Sequence, residues 1–137
     1  MVQTPIKTNV LTIDKEQAAR QLNLLGYKSG DNVYLTAFFP KGDPRTKGEN
    51  RDKGRKIDRL NYTEVEKWQV QGRGVYFVVN GHGHGKNEVK DCRAVFYEHD
   101  NLDKGIQLTL WQSLGLPEPT VQVDTGGKSI HSYWVFE

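Results

Sequence analysis

The sequence predicts an α+β fold of short strands and amphipathic helices. From residue 92 onward the predicted elements run strand, helix, strand, strand, which are the first four elements of a βαββαβ unit. A helix and a strand predicted upstream indicate that an N-terminal α/β unit precedes this module. Because 137 residues suffice for one domain, we expect a single domain over 1–137, with the α/β unit at 1–73 and the partial module at 74–137.

The N-terminal unit carries signals for two helices and a strand. Asp14 is a suitable N-cap for a helix over roughly 15–25, where apolar residues recur at helical spacing. The segment NVYLTAFF, residues 32–39, is rich in β-branched and aromatic residues and predicts a strand. Thr63 followed by Glu66 forms a capping-box pattern, which predicts the start of a second, short helix.

A basic segment, residues 41–56, lies between that strand and the second helix and holds seven Lys and Arg against three Asp and Glu. It has no large apolar side chain to bury, so we expect a mobile surface loop. With Tyr62 and Trp68 close by in sequence, it is suited to follow a nucleic-acid backbone and stack bases; a purely solvated loop is the alternative. The candidate nucleic-acid-binding residues are Arg45, Lys47, Arg51, Lys53, Arg55 and Lys56.

Four further strands are predicted at 74–80, 93–100, 120–124 and 129–137. Asp103 is suited to cap a helix after the second of them, with apolar positions at Ile106, Leu110 and Leu114. The sequence ends on the apolar run YWVFE with no following turn. We therefore expect the module to be truncated before its last helix and strand.

The stretch GHGHG, residues 81–85, follows the first of these strands. His82 and His84 have neither the cysteines nor the H-E-x-x-H spacing that would complete a zinc site. We expect a loop whose glycines adopt positive φ values and whose histidines are placed to touch substrate phosphate.

Glu98 and Asp100 form the first candidate site, directly after the apolar run AVFY. Side chains alternate along a strand, so both carboxylates point to one face, with their Cα atoms about 6.5–7 Å apart. Such a pair suits a hard divalent cation, Mg²⁺ or Mn²⁺, which prefers oxygen ligands. The alternative is a polar exit from the strand into a loop.

Lys128, Ser129 and His131 form the second candidate site, within GGKSIHSYW. They offer ammonium, hydroxyl and imidazole donors together, which are the groups that bind a triphosphate. For His131, the alternative is a half-buried side chain bonded to a neighbouring strand. GGKS is not the end of a Walker A loop, because that motif requires glycine where this chain has Gln122 and a helix where a strand is predicted.

Composition excludes several classes of protein. The formal net charge is only +2, and Cys92 is the only cysteine, which rules out an intrachain disulfide and a cysteine-based metal cluster. No run approaches the ~18 apolar residues of a membrane span, and the N-terminus has no apolar signal segment. We expect a cytoplasmic protein without a membrane partner.

Taken in order, AVFYEHD and VDTGGKSIHSYW resemble the first two motifs of the archaeo-eukaryotic primase superfamily, in its primase-polymerase and plasmid-replication branch. The first motif is an acidic-x-acidic pair at a strand end, here Glu98 and Asp100. The second is small-x-His on a later strand, here Ser129 and His131. The upstream segments GVYFVVNG and KDCRAVFYEHD resemble the lead-in strands of bacterial and phage members, whereas the first 70 residues resemble the family weakly.

The resemblance implies an RRM-like catalytic module, βαββ(αβ), which transfers nucleotides from nucleoside triphosphates on a single-stranded DNA template. It implies that Glu98, Asp100 and His131 are catalytic and that the two acids hold Mg²⁺ or Mn²⁺ in a two-metal mechanism. His131, with Lys128 and Ser129, then contacts the phosphates of the nucleotide. A replicative helicase, as a domain or a separate protein, is an implied partner.

One family motif is not found. The third motif, an apolar residue followed by aspartate, lies beyond the histidine, and this sequence ends six residues after His131. Asp124 precedes the histidine, so by order it is not that motif, although its position in sequence leaves it a candidate neighbour of the site. We expect the 137-residue chain to bind nucleotide or metal and to catalyse poorly or not at all.

Three functions are compatible with these motifs. The first is the primase-polymerase nucleotidyltransferase domain of a replication protein. The second is a non-catalytic module that binds single-stranded nucleic acid, and the third is a metal-dependent nuclease that uses the same acids. Primer extension indicates the first function, strand binding that does not depend on Glu98 indicates the second, and primer degradation indicates the third.

Overall fold

The computed structural model describes residues 13–136, which form three α-helices and two three-stranded antiparallel sheets. The helices are α1 (Lys15–Leu24), α2 (Tyr62–Val70) and α3 (Lys104–Ser113). The strands are β1 (Leu35–Phe38), β2 (Arg55–Ile57), β3 (Gly74–Phe77), β4 (Ala94–Tyr97), β5 (Val121–Asp124) and β6 (Ile130–Val135). The predicted α+β fold class is confirmed. Within residues 13–136, none of the helices is long and apolar enough to cross a membrane.

The helix caps follow the sequence at α1 and differ from it at α2. Asp14 accepts a hydrogen bond from the backbone N–H of Gln17, as predicted for the start of α1. In α2 the N-cap is Asn61, which accepts from the N–H of Glu64 at 3.2 Å, and not Thr63. Both asparagine and threonine are good caps, and the one that comes first satisfies the free N–H groups of the first turn.

The first sheet has the order β2-β1-β3 and belongs to the N-terminal unit. β2 was not predicted, because its three residues, RKI, carry two cations and a single apolar side chain. It pairs with β1 so that Ile57 lies opposite the buried Leu35, and burial of that one apolar residue fixes its register. The basic segment is therefore not the featureless loop that was expected, since it contains a 3-10 turn at Pro44–Thr46 and ends in β2.

The second sheet has the order β4-β6-β5, so the third strand of the module lies between the first and the second, as in an RRM-like βαββ arrangement. Helix α3 packs on one face of this sheet, but of its three predicted apolar positions only Leu110 is partly buried. Ile106 and Leu114 are 52% and 55% exposed, whereas the buried residue of α3 is Gln107. A polar side chain fills the helix–sheet contact because it bonds to three backbone groups there.

The opposite face of the second sheet packs against the N-terminal unit, and the two share one core. Its buried apolar residues are Leu25, Tyr27, Val33, Leu35, Ala37, Val65, Trp68, Val79, Ala94 and Tyr133. Asn80 adds a polar link just after β3, since its side chain donates to the carbonyl of Ala94 and accepts from the N–H groups of Arg93 and Ala94. The second sheet is thus anchored to the first at the start of β4.

Candidate active site

The two predicted acidic residues lie across the second sheet from the predicted histidine and serine. β4 and β6 pair antiparallel along the whole of β4. Continuing their register beyond β4 sets Glu98 opposite His131 and Asp100 opposite Ser129. The side chains make these contacts: His131 Nε2 lies 2.6 Å from Glu98 Oε2, and Ser129 Oγ donates to Asp100 Oδ1. The motifs separated by one helix and one strand in sequence are therefore adjacent in space.

His131 is held from both of its ring nitrogens. Besides the contact with Glu98, its Nδ1 lies 3.3 Å from the hydroxyl of Tyr133, which is buried in the shared core. Burial raises the pKa of Tyr133, and the negative charge of Glu98 raises it further, so this hydroxyl keeps its proton. We assign the hydroxyl as donor to Nδ1 and the N–H at Nε2 as donor to Glu98.

Gln107 organises the segment that carries Lys128 and Ser129, and sequence analysis missed it. Its Nε2 donates to the carbonyls of Leu102 and Lys128 at 2.7 and 2.8 Å, and its Oε1 accepts from the N–H of Ile130 at 2.7 Å. A glutamine on an amphipathic helix is normally assigned to the solvent face. The one sequence signal for the burial of Gln107 was its position between two apolar residues. The side chain of Lys128 itself is exposed beside the site.

Glu98 and Asp100 are the carboxylates that could hold a divalent cation. Both residues are exposed, and neither faces an arginine or lysine in an ion pair within residues 13–136. In that part of the chain, no group of three or more His, Cys, Asp or Glu side chains is arranged to hold a metal ion. Mg²⁺ is commonly held by one or two carboxylates together with water and substrate phosphates. The pair therefore fits such an ion provided that a nucleotide supplies further oxygens.

Asp124 does not join this pair. It lies opposite Ile130, so its side chain is on the face that α3 covers, whereas His131 and its partners are on the other face. Its carboxylate lies 2.7 Å from the ammonium of Lys104, and hydrogen bonding to this group lowers the pKa of Asp124. The suggestion that Asp124 is a neighbour of the site is therefore wrong.

The predicted nucleic-acid-binding residues surround an open depression of about 780 Å³ at the edge of the first sheet. Four of the six line it, namely Arg45, Arg51, Lys53 and Arg55, while Lys47 and Lys56 are exposed outside it. Arg45 pairs with Asp43 at 2.8 Å and lowers the pKa of that carboxyl to about 2, and Arg55 pairs with Asp52 at 3.2 Å. Among the described residues, Arg51 and Lys53 form no ion pair and are available to an anion.

Three residues that sequence analysis did not single out shape this depression. Arg73 is buried and donates to both carboxylate oxygens of Asp52 at 2.7 Å, which holds the pKa of Asp52 well below its usual range. The guanidinium groups of Arg73 and Arg45 lie 3.9 and 3.7 Å from the ring centroid of Phe39. Both groups cannot occupy one face of the ring at these distances, so Phe39 lies between them. No periodicity in the sequence indicates that Arg73 lies beside Asp52 and Phe39.

Of the aromatic residues proposed to stack bases beside the basic segment, Trp68 is unsuitable. It is only 4% exposed and packs in the shared core, so its ring cannot reach a nucleic acid. Tyr62 is partly exposed, and its hydroxyl donates to the carbonyl of Lys15. The prediction of stacking by Trp68 is therefore wrong.

The GHGHG loop stabilises the first sheet through hydrogen bonds of His84. His84 Nε2 lies 2.9 and 3.2 Å from the carbonyls of Ile57 and Leu35, so its N–H links β2 to β1. The glycines do not have positive φ values, contrary to expectation. Gly83 is required by close approach instead, because a Cβ there would lie 2.3 Å from the carboxyl carbon of Glu88. The histidine at position 84 is thus committed to the fold.

Comparison with known proteins gives one related structure. No family model matches the sequence, and no curated protein sequence matches it. Among solved structures, the chain is similar to the AEP domain of the primase-polymerase of cyanophage S-2L, with a TM-score of 0.78 and 33% sequence identity. The match covers 90% of this chain and 63% of that domain. This neighbour supports the predicted resemblance to the archaeo-eukaryotic primase superfamily in overall fold and overall sequence identity, and the correspondence of the individual motifs stays a prediction.

Proposed function

We propose that this protein transfers nucleotides from nucleoside triphosphates to a growing strand on a single-stranded DNA template, as a primase-polymerase. One observation carries the proposal: the register of β4 and β6 sets two neighbouring carboxylates against His131 and Ser129 on one exposed sheet end. The similarity of the chain to a primase-polymerase domain supports this function for that arrangement.

Glu98 and Asp100 are proposed to hold Mg²⁺ or Mn²⁺ at this site. When bound, two such ions favour loss of the proton from an attacking hydroxyl and neutralise the charge on the leaving pyrophosphate. The carboxylates are suited to this role because they are exposed, lie on one face of the sheet and, among residues 13–136, accept only from Ser129 and His131. Within the described residues, neither carboxylate bonds to an ammonium or a guanidinium group that would compete with a cation.

The donors across the sheet are proposed to bind the phosphates of the incoming nucleotide. Lys128 offers an exposed ammonium, whereas the Nε2–H of His131 and the hydroxyl of the buried Ser129 bond to Glu98 and Asp100 and have to exchange these bonds for bonds to phosphate. In the transfer, the 3′ oxygen of the primer bonds to the α-phosphorus while the bond to the bridging oxygen of pyrophosphate breaks. His131 lies on β6 and Ser129 directly precedes it, so these two donors lose little conformational freedom on binding and are suited to stabilise the charge that develops on these oxygens.

The template is proposed to follow the basic depression of the N-terminal unit. Arg51 and Lys53 are its cations without an ion-pair partner among the described residues. Binding of this kind releases counterions from the phosphates, so its affinity falls as salt rises. The replicative helicase partner and the cytoplasmic location stay predictions.

Extension of a labelled primer on a single-stranded template, with Mg²⁺ or Mn²⁺, tests this function. We expect slow extension by the wild-type chain, because the third acidic motif is not found in its sequence, and a further loss of about a hundredfold or more in Glu98→Gln and Asp100→Asn, because each removes a negative charge from the proposed metal site. Asp124→Asn is the matched control, since it removes an acid of the same sheet on the opposite face, and it should retain activity. Extension that survives both Glu98→Gln and Asp100→Asn would contradict the proposal.

A second candidate function is strand and nucleotide binding without transfer. It is favoured by the donor set, which within residues 13–136 contains two carboxylates and no third on that face. The same assay distinguishes it, because this module would bind template and triphosphate but never lengthen the primer. Shortening of the primer instead, abolished by Glu98→Gln, would indicate a metal-dependent nuclease.

A further inference from the structure

The outer face of the first sheet presents two aromatic side chains to solvent. Leu35 and Ala37 of β1 face the core, so the alternating residues Thr36 and Phe38 face outward. Tyr76 of β3 lies opposite Thr36 and shares this face. Phe38 is 41% exposed and Tyr76 is 59% exposed, and their ring centroids are 6.3 Å apart. They form a pair rather than two isolated exposed residues.

Both rings lie along the sheet because each covers a glycine. A Cβ at Gly54 would lie 2.6 Å from two ring carbons of Phe38, and Gly54 has a φ of +92° that other residues rarely adopt. A Cβ at Gly74 would lie 2.7 Å from the hydroxyl oxygen of Tyr76 and 3.1 Å from two of its ring carbons. Glycine at both positions makes room for the rings beside the backbone, and both side chains stay exposed to solvent.

Positive charge adjoins the aromatic pair. Lys56 of β2 lies opposite Thr36 and so belongs to the same outward face. Gly54, which lies under Phe38, also lines the basic depression that holds Arg51 and Lys53. Exposed ring faces beside cations suit a single-stranded nucleic acid, whose bases stack on aromatic rings while its phosphates pair with Lys and Arg. A duplex does not offer its base faces in this way.

We propose that Phe38 and Tyr76 form a base-stacking surface for single-stranded DNA whose backbone passes through the adjoining basic depression. The choice of DNA over RNA rests on the proposed function. The stacking itself requires neither metal nor nucleotide and does not involve Glu98 or Asp100. It gives the N-terminal unit a role in holding the strand that the basic residues alone do not provide.

Fluorescence anisotropy with a labelled oligo-dT and an abasic oligonucleotide of equal length tests the surface, using the full chain without metal or nucleotide. We expect the wild type to bind oligo-dT more tightly than the abasic strand. Phe38→Leu and Tyr76→Leu keep apolar bulk over the glycines but remove the ring, so each should weaken oligo-dT binding about fivefold or more. The affinity for the abasic strand and the dependence on salt should be unchanged.

Phe136→Leu is the matched control, because Phe136 is 55% exposed outside this surface and its replacement should not alter binding. Lys53→Gln should weaken both oligonucleotides alike and reduce the salt dependence. No preference of the wild type for oligo-dT over the abasic strand, or unchanged binding in Tyr76→Leu with a wild-type melting temperature, would overturn the inference. Tighter binding of oligo-U than of oligo-dT would overturn the choice of DNA over RNA. Failure of primer extension leaves all of these outcomes unaffected, as does Glu98→Gln.

Discussion

His131 shows how one residue acquires its orientation from strand alternation and burial. Tyr133 lies two residues further on β6, so it shares the face of His131, and its ring is buried in the core while its hydroxyl reaches Nδ1. The buried ring is rigid, and the raised pKa keeps the hydroxyl protonated at any physiological pH. We therefore propose that Tyr133 is a positioning residue, which acts through its bond to the proposed site residue His131.

The change Tyr133→Phe tests this role. It removes a hydrogen bond worth about 1 kcal/mol, so we expect the KM for nucleotide to rise about fivefold with a smaller change in kcat. Tyr97→Phe is the matched control, because the buried hydroxyl of Tyr97 has no hydrogen-bond partner within the described residues. That variant should be at least as stable as wild type and keep its KM. Equal KM values for the two variants would show that the bond to Nδ1 does not position His131.

At the scale of the elements, an ion pair joins the strands on either side of β1. Asp52 lies just before β2 and Arg73 just before β3, and their bidentate contact spans the width of the first sheet. The Arg73 side chain is only 3% exposed, whereas Asp52 is 16% exposed and lines the open depression, so the pair is partly shielded from water and salt. This contact holds the short strand β2 in place, which its own three residues do not.

We predict that this pair makes stability depend on pH. Arg73 holds the pKa of Asp52 far below the value near 3.9 that aspartate has in an unfolded chain. The contribution is complete above about pH 5 and is lost as the pH falls through that unfolded value toward the folded one. Asp52→Asn should lower the urea midpoint at pH 7 and flatten its decline between about pH 5 and pH 2.

Asp43→Asn is the comparison for that experiment, because its partner Arg45 is 56% exposed. The pKa of Asp43 is also lowered, to about 2, but water screens its pair with Arg45. The loss of stability at pH 7 should therefore be smaller than in Asp52→Asn. Parallel pH profiles for wild type and Asp52→Asn would show that the buried pair is not the source of acid sensitivity.

At the scale of the whole molecule, the two halves of the chain depend on a shared core. Ala94 and Tyr133 of the second sheet pack among residues of the N-terminal unit, and Asn80 bonds to the backbone at the start of β4. Neither sheet buries its inner face alone. We therefore expect a single cooperative unfolding transition, as the one-domain prediction requires.

Replacing Asn80 tests the link between the halves. Its side chain makes three hydrogen bonds to a largely buried backbone, so Asn80→Ala should destabilise the fold by about 2–3 kcal/mol. Urea unfolding followed by tryptophan fluorescence measures the change, and the exposed Asn101→Ala serves as control with an effect within about 0.5 kcal/mol. Separate transitions in the wild type would contradict the shared core.

The local sequence pattern predicts most of the helices and strands, but it does not predict β2 or the burial of Gln107. The helix at Asp14 and the strands around β1, β3, β4, β5 and β6 were predicted because their periodicity and caps are properties of consecutive residues. β2 was missed because a strand of two cations and one isoleucine is stable only through its partner, β1. Gln107 was missed because two of the three backbone groups to which its side chain bonds, those of Lys128 and Ile130, are far from it in sequence.

The sequence alone determined the fold class and the two motifs. Side chains alternate along a strand, so the spacing of the acids, the serine and the histidine shows which of them share a face. Only the tertiary structure decided that β6 lies beside β4, which sets Glu98 against His131 and Asp100 against Ser129. It also decided that Asp124 turns to the opposite face and that Trp68 is buried whereas Phe38 and Tyr76 are exposed. The physical reason is that strand neighbours and burial depend on how distant segments pack, which spacing along the chain does not encode.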